Sequence, residues 1–205
     1  MKTCQILFAA TLIVFILGPI SLDRGPGRPT LWWAESQAAS GKTALRRSNS
    51  RAAGSVGSHL TPQEVRQLLT SHNKARARVG LAPLMWSEGL ATYAREWADH
   101  LASTSRRMEH RPHSGMWKQV HGENLFMGTA GYYGVADAVA MWEREKSVYD
   151  GGAVDESNVH ACGHYTQLVW GSTKRVGCAK VTCGGNVIVV CNYDPPGNVL
   201  GRKPY

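Results

Sequence analysis

The sequence predicts an α+β domain over residues 59–205, with helices stacked on a small antiparallel sheet. Three observations carry this. Apolar residues recur at helical spacing through well-capped segments in the first half. Two β-branched runs flank a Gly-Gly pair near the end. The helical texture also precedes the strand texture and does not alternate with it, which argues against a parallel α/β sheet.

Each element follows from local chemistry. In "LTPQEV", Thr61 suits an N-cap, Pro62 the first helical position and Glu64 the capping box. Val65, Leu68, Leu69, His72, Ala75 and Val79 then repeat at helical spacing, and Gly80 stops the run. A second helix is predicted from Ser87, with Leu90, Tyr93, Ala94, Trp97, Ala98 and Leu101 on one face. A third is predicted over 135–146, with Val135, Ala138, Val139 and Trp142 inward, and a short helix over "GHYTQLVW". "RVGCAKV" (175–181) and "NVIVVCNY" (186–193) read as a hairpin closed by Gly-Gly, and "DPPGN" ends the strand. One further strand is predicted near Leu125.

The first 58 residues read differently. Lys2 followed by the apolar run Ile6–Leu17 and Gly18-Pro19 has the form of a secretory signal peptide, assigned to 1–23, and is shorter than the ~20 residues of a membrane span. Residues 24–58 are rich in Gly, Ser, Ala and Arg, lack any period, and read as a disordered linker. The chain's net charge of +8 sits mostly here: 24–58 contribute +5 and 59–205 only +3. That favours loose attraction to anionic walls or membrane surfaces. No zinc-finger spacing, basic helix or aromatic-basic sheet indicates a nucleic-acid reader.

Export sets the redox expectation. If Cys4 leaves with the signal, Cys162, Cys178, Cys183 and Cys191 remain, an even number suggesting disulfides in three possible pairings. Among ionisable residues, His110, Glu123, Glu145 and His164 stand in apolar or glycine-rich company, separated by 13, 22 and 19 positions. Two imidazoles and two carboxylates suit a cation site or an acid–base pair. His113, His121 and His160 are alternative partners, and a hydrogen-bonded structural role is open to every one of these groups. There is no HExxH, nucleophile elbow, phosphate loop or CxxC pair.

The motifs "GENL" (122–125), "CGHYTQLVW" (162–170), "VGCAKVTC" (176–183) and "VVCNYDPPGN" (189–198), with "HNKAR" (72–76) and "LMWSEGLATYAREWA" (84–98), resemble the CAP superfamily. That superfamily comprises cysteine-rich secretory proteins, antigen 5 and pathogenesis-related protein 1. The likeness runs from Leu60 to Tyr205 and leans to the plant pathogenesis-related 1 type. It implies an α-β-α sandwich of the CAP/SCP type, with a three-stranded antiparallel sheet between helical layers. It further implies that His110, Glu123, Glu145 and His164 converge in one open cleft, a set that suits a divalent cation such as zinc. His113, in "PHSG", competes with His110 for the first position.

The resemblance also implies a Cys178–Cys191 bridge. The family's partners for the other two cysteines are missing; Arg106-Arg107-Met108 and Asn158 occupy those regions. Cys162 and Cys183 are expected to pair with each other, two free thiols being the alternative. The ending "PPGNVLGRKPY", with Pro195, Gly197, Asn198, Pro204 and Tyr205, fits the plant PxGNxxGxxPY tail, which can be released as a defence signal; a plain turn with a tail behind it is equally open. The function expected is that of a secreted, monomeric, extracellular defence or interaction protein, binding sterol or other lipid in an apolar groove apart from the tetrad. A metal-dependent hydrolase built on the tetrad and a precursor of the signalling peptide 195–205 are the alternatives.

Overall fold

The computed structural model describes residues 60–205; the signal peptide and linker expected over 1–58 lie outside them. Helix α1 (Pro62–Ala77) opens with the full capping box. The Thr61 side chain accepts from the Glu64 N–H (3.2 Å), and Glu64 accepts from the Thr61 N–H (2.9 Å). Strand β1 (Met85–Trp86) precedes α2 (Glu88–Ser103), which is capped by Ser87. Strand β2 (Gly122–Thr129) and helix α3 (Val135–Arg144) follow. The predicted third helix breaks two residues early, into a 3₁₀ turn at Glu145–Val148. Helix α4 (Val159–Leu168) and the hairpin β3 (Arg175–Cys183) and β4 (Asn186–Asp194) complete the chain. Gly184 and Gly185 turn that hairpin at φ +57° and +80°, which glycine adopts without steric cost.

The sheet order is β1-β3-β4-β2, with β2–β4 and β3–β4 antiparallel. The three-stranded sheet implied by the resemblance is present and gains a fourth member, since β1 pairs parallel with β3 through Met85 and Trp86. Two residues are too few to show a strand period, so β1 exists only by virtue of its partner.

Both faces of the sheet are covered. Val176, Cys178, Val187, Val189, Cys191 and Tyr193 pack against α1, α3 and α4 through Leu68, Ala75, Val139, Trp142 and Leu168. Leu125, Ala179, Val181, Ile188 and Val190 face Ala94, Trp97, Ala98 and Leu101 of α2. Double coverage explains why central strand β4 is an unbroken apolar run rather than an alternating one. At Gly177 the approach of α2 is so close that a Cβ would overlap the Ala91 nitrogen and the Ser87 carbonyl.

Cys178 and Cys191 are directly opposed in the β3–β4 register, with Cα atoms 4.1 Å apart, and form the disulfide. The expected Cys162–Cys183 bridge is absent and both are free thiols. The sheet stands between them: Cys162 belongs to α4 on one side, whereas Cys183 packs against the α2-side core. Among the described residues no helix is long and apolar enough to cross a membrane.

A buried guanidinium ties the α1 layer together. Arg76, 1% exposed, has no carboxylate partner among the described residues. It donates to the carbonyls of Ala82 (2.8 Å), Trp170 (2.9 Å), Leu168 (3.3 Å) and Thr173 (3.3 Å), holding the end of α4 against α1.

Candidate functional site

The sequence-selected residues meet as two His–Glu pairs. Glu123, at the start of β2, has a fully buried side chain, and a buried carboxylate needs donors. It has three: His110 Nδ1 (2.8 Å), the Arg111 N–H (3.0 Å) and Asn192 Nδ2 (3.3 Å). His110, its side chain 54% exposed, follows α2 on a loop anchored on both sides. The Glu109 carbonyl accepts from Trp97 Nε1 (2.8 Å), and Arg111 donates to the Tyr93 carbonyl (2.6 Å). The buried Arg111 guanidinium also lies 3.7 Å above the Tyr93 ring. These anchors fix His110 at Glu123; His113 is exposed and lies outside the pair.

The second pair follows the same logic. Glu145 begins the 3₁₀ turn after α3, and its Oε1 accepts from His164 Nδ1 (2.6 Å). Its Oε2 accepts from the backbone N–H groups of His164 (2.9 Å) and Tyr165 (3.1 Å), so one carboxylate clips both the ring and the body of α4. The Trp142 ring stacks parallel to His164, 6.3 Å between centroids.

Adjacent residues on a strand point to opposite faces: Glu123 faces the α2 side, while Asn124 donates to the His164 carbonyl (3.0 Å) and to Tyr193 Oη (3.2 Å) on the other. The four groups are held two and two, each carboxylate bonded to its own imidazole and to neighbouring N–H groups. Among the described residues no three His, Cys, Asp or Glu side chains are placed to share a metal ion. Both imidazoles commit Nδ1 to a carboxylate, and neither Nε2 has a hydrogen-bond partner among the described residues. That is how metal-binding histidines are commonly oriented, with a carboxylate behind the ring.

Behind the second pair runs a buried relay that sequence reasoning did not assemble. His72 Nδ1 donates to the Leu68 carbonyl (2.8 Å), so Nε2 is the acceptor of the Tyr193 hydroxyl (2.9 Å), which in turn accepts from Asn124. Burial, assisted by nearby Arg76, pushes the His72 imidazole down to about 4, so it is neutral in the folded chain. Burial likewise raises the Tyr193 phenol. Asn124 touches both His164 and Tyr193, joining this relay to the site. The one signal for it was an imidazole at a core position of α1, within "HNKAR".

The remaining candidates fall elsewhere. Cys162 is buried on α4, its Sγ bonded to the Asn158 carbonyl (3.3 Å), and burial raises its thiol. No hydroxyl or thiol bonds to the His110 or His164 ring among the described residues. In the tail, Asn198 and Gly197 bond α4, Thr173 Oγ1 donates to the Pro195 carbonyl (2.9 Å), Pro204 is buried, and Tyr205 Oη meets Tyr165 Oη at 3.1 Å.

Comparison with known proteins gives a consistent picture. The model of the cysteine-rich secretory protein family, CAP, matches residues 69–193. Pathogenesis-related protein 1B of Nicotiana tabacum is 45% identical over 138 residues, spanning 67% of this chain and 78% of that protein. A pathogenesis-related protein 1 of Arabidopsis thaliana is 43% identical over 155 residues, 73% of this chain and 90% of that one. Two solved structures share the fold: Na-ASP-1 (TM-score 0.62, 20% identity, 73% of this chain and 43% of that one) and NaASP2 with Zn²⁺ (TM-score 0.59, 21% identity, 71% and 86%).

Proposed function

The chain belongs to the cysteine-rich secretory protein (CAP) family, and on that premise we propose that it is an extracellular binding protein of the pathogenesis-related 1 kind, acting in defence, with a divalent-cation site at His110 and His164. One observation carries the cation site: each imidazole gives Nδ1 to a carboxylate and keeps Nε2 for a ligand. A cation bound there would take Nε2 of His110 and His164, while Glu123 and Glu145 hold the rings and tune their basicity. A structural relative in this fold carries Zn²⁺, and neutral imidazole suits that ion. Such an ion would supply positive charge and Lewis acidity, with positions left for an outside ligand.

Zinc titration of the metal-stripped full chain, followed by calorimetry, tests this. His110→Ala and His164→Ala should each abolish or strongly weaken binding. Glu123→Gln and Glu145→Gln should weaken it about 10–100-fold, the usual cost of losing such a supporting partner. Unaltered zinc affinity in the double histidine variant refutes the site.

Binding is favoured over nucleophilic catalysis because, among the described residues, neither ring contacts a serine, threonine or cysteine that could be activated. Sterol or other lipid binding, apart from the His–Glu pairs, belongs to the same proposal. It should survive Glu123→Ala and Glu145→Ala, which a metal-dependent hydrolase would not. A signalling role of peptide 195–205 would need only the last residues.

A further inference from the structure

Of the chain after β4 only Pro204 is buried, yet hydrogen bonds tie it down from Pro195 to Tyr205. The Gly197 N–H donates to Gln167 Oε1 (2.9 Å). Asn198 Oδ1 accepts from Thr166 Oγ1 (2.7 Å), and Asn198 Nδ2 donates to the Gly163 carbonyl (2.8 Å). Farther on, the tail exchanges backbone bonds with Val154 in both directions: the Gly201 N–H to the Val154 carbonyl (2.8 Å) and the Val154 N–H to the Arg202 carbonyl (2.9 Å). The Pro204 carbonyl accepts from the Gly171 N–H (2.7 Å), and the Tyr165–Tyr205 hydroxyl contact closes the end.

The bonds of Gly197, Asn198 and Tyr205 fall on an element that needs them. Helix α4 has ten residues, no side-chain N-cap bond, and a glycine and a threonine in its interior. Helices below ~12–15 residues do not hold in water by themselves. Thr166 and Gln167 are completely buried polar residues, and the tail takes part in satisfying both. Glu145 bonds His164 and the Tyr165 N–H, and the tail bonds Gly163, Tyr165, Thr166 and Gln167. His164 is next to Gly163, whose carbonyl Asn198 holds.

We propose that Pro195–Tyr205 is a strap that sets α4, and through it the Glu145–His164 half of the site, with Asn198 as its positioning residue. When the strap lifts, that half loosens. The His110–Glu123 half, anchored to α2 through Trp97 and Tyr93, stays in place. This holds whether or not a cation binds, so its test is done without metal. Asn198 has φ +54°, a left-handed conformation open to glycine, so Asn198→Gly removes the two side-chain bonds without backbone strain.

In the metal-free full chain, amide hydrogen exchange and the histidine ring NMR signals at fixed pH give the answer. Asn198→Gly should speed exchange across 159–168 about tenfold or more, as the loss of two hydrogen bonds permits. It should also shift or broaden the ring signals of His164 at fixed pH while leaving those of His110 unchanged. Tyr205→Phe, which removes one hydroxyl, should produce a smaller change in the same direction and serves if the glycine variant does not fold. Val199→Ala, at an exposed side chain, should change neither. Faster exchange confined to 195–205 with an unmoved His164 overturns the proposal, as do equal shifts at His110 and His164.

Discussion

Acid should weaken this fold through His72, by an amount the structure sets. The imidazole is fully buried, gives Nδ1–H to the Leu68 carbonyl and accepts from Tyr193 at Nε2, so a second proton has no acceptor. Its folded value is about 4, against an ordinary value of 6.5. Between those values the unfolded chain takes up a proton that the native state refuses, so stability falls as pH falls, and the contribution is intact only above about 6.5. Integrating that difference gives a loss of about 2 kcal/mol by pH 5 and about 3 kcal/mol by pH 4, large beside the ~5–15 kcal/mol of an ordinary domain. Urea unfolding with the disulfide intact, at pH 7, 6, 5 and 4, should be run on the wild type and His72→Gln. The glutamine amide can still accept from Tyr193 but does not titrate. The stability gap between the two proteins should move against the wild type by about 2 kcal/mol from pH 7 to pH 5. A gap that stays constant over that range refutes the assignment of a buried, neutral His72.

Other expectations follow from single contacts. Arg76→Met should cost about 3 kcal/mol or more in urea unfolding, because it strips donors from the buried carbonyls of Leu168, Trp170 and Thr173. Opening the Cys178–Cys191 bridge by the double serine variant should cost about 3 kcal/mol, the loop-closure value for a separation of 13 residues. In the native, non-reduced protein an alkylating reagent should label Cys183 and spare Cys162, with both labelled in denaturant; mass spectrometry showing rapid native labelling of Cys162 would contradict its burial. Gly177→Ala should lower the melting temperature clearly, since its Cβ would drive α2 off β3.

The parts of this protein that could be read in its sequence are those decided by neighbours in the chain. The Thr61–Glu64 capping box, the Ser87 cap and the Gly184-Gly185 turn each need only a few consecutive residues, and each is present. Strand β4 declares itself because burial on both faces leaves no polar position in its centre. The family motifs mark Glu123 and His164 for the same local reason: each sits in an uninterrupted string.

Tertiary structure decided what depends on separation in space. Nothing in the spacing of four ionisable residues says that His110 joins Glu123 and His164 joins Glu145; the packed loops and helices around each carboxylate settle that. Cys162 and Cys183 look like an available couple until the sheet is placed between them. The relay from His72 to Tyr193 crosses 121 positions, and the tail earns its order only by satisfying Thr166 and Gln167. Caps, turns and apolar periods are short-range effects and are written in order along the chain. Desolvated polar groups must find partners wherever the packed fold brings them, and that matching exists only once the layers have closed.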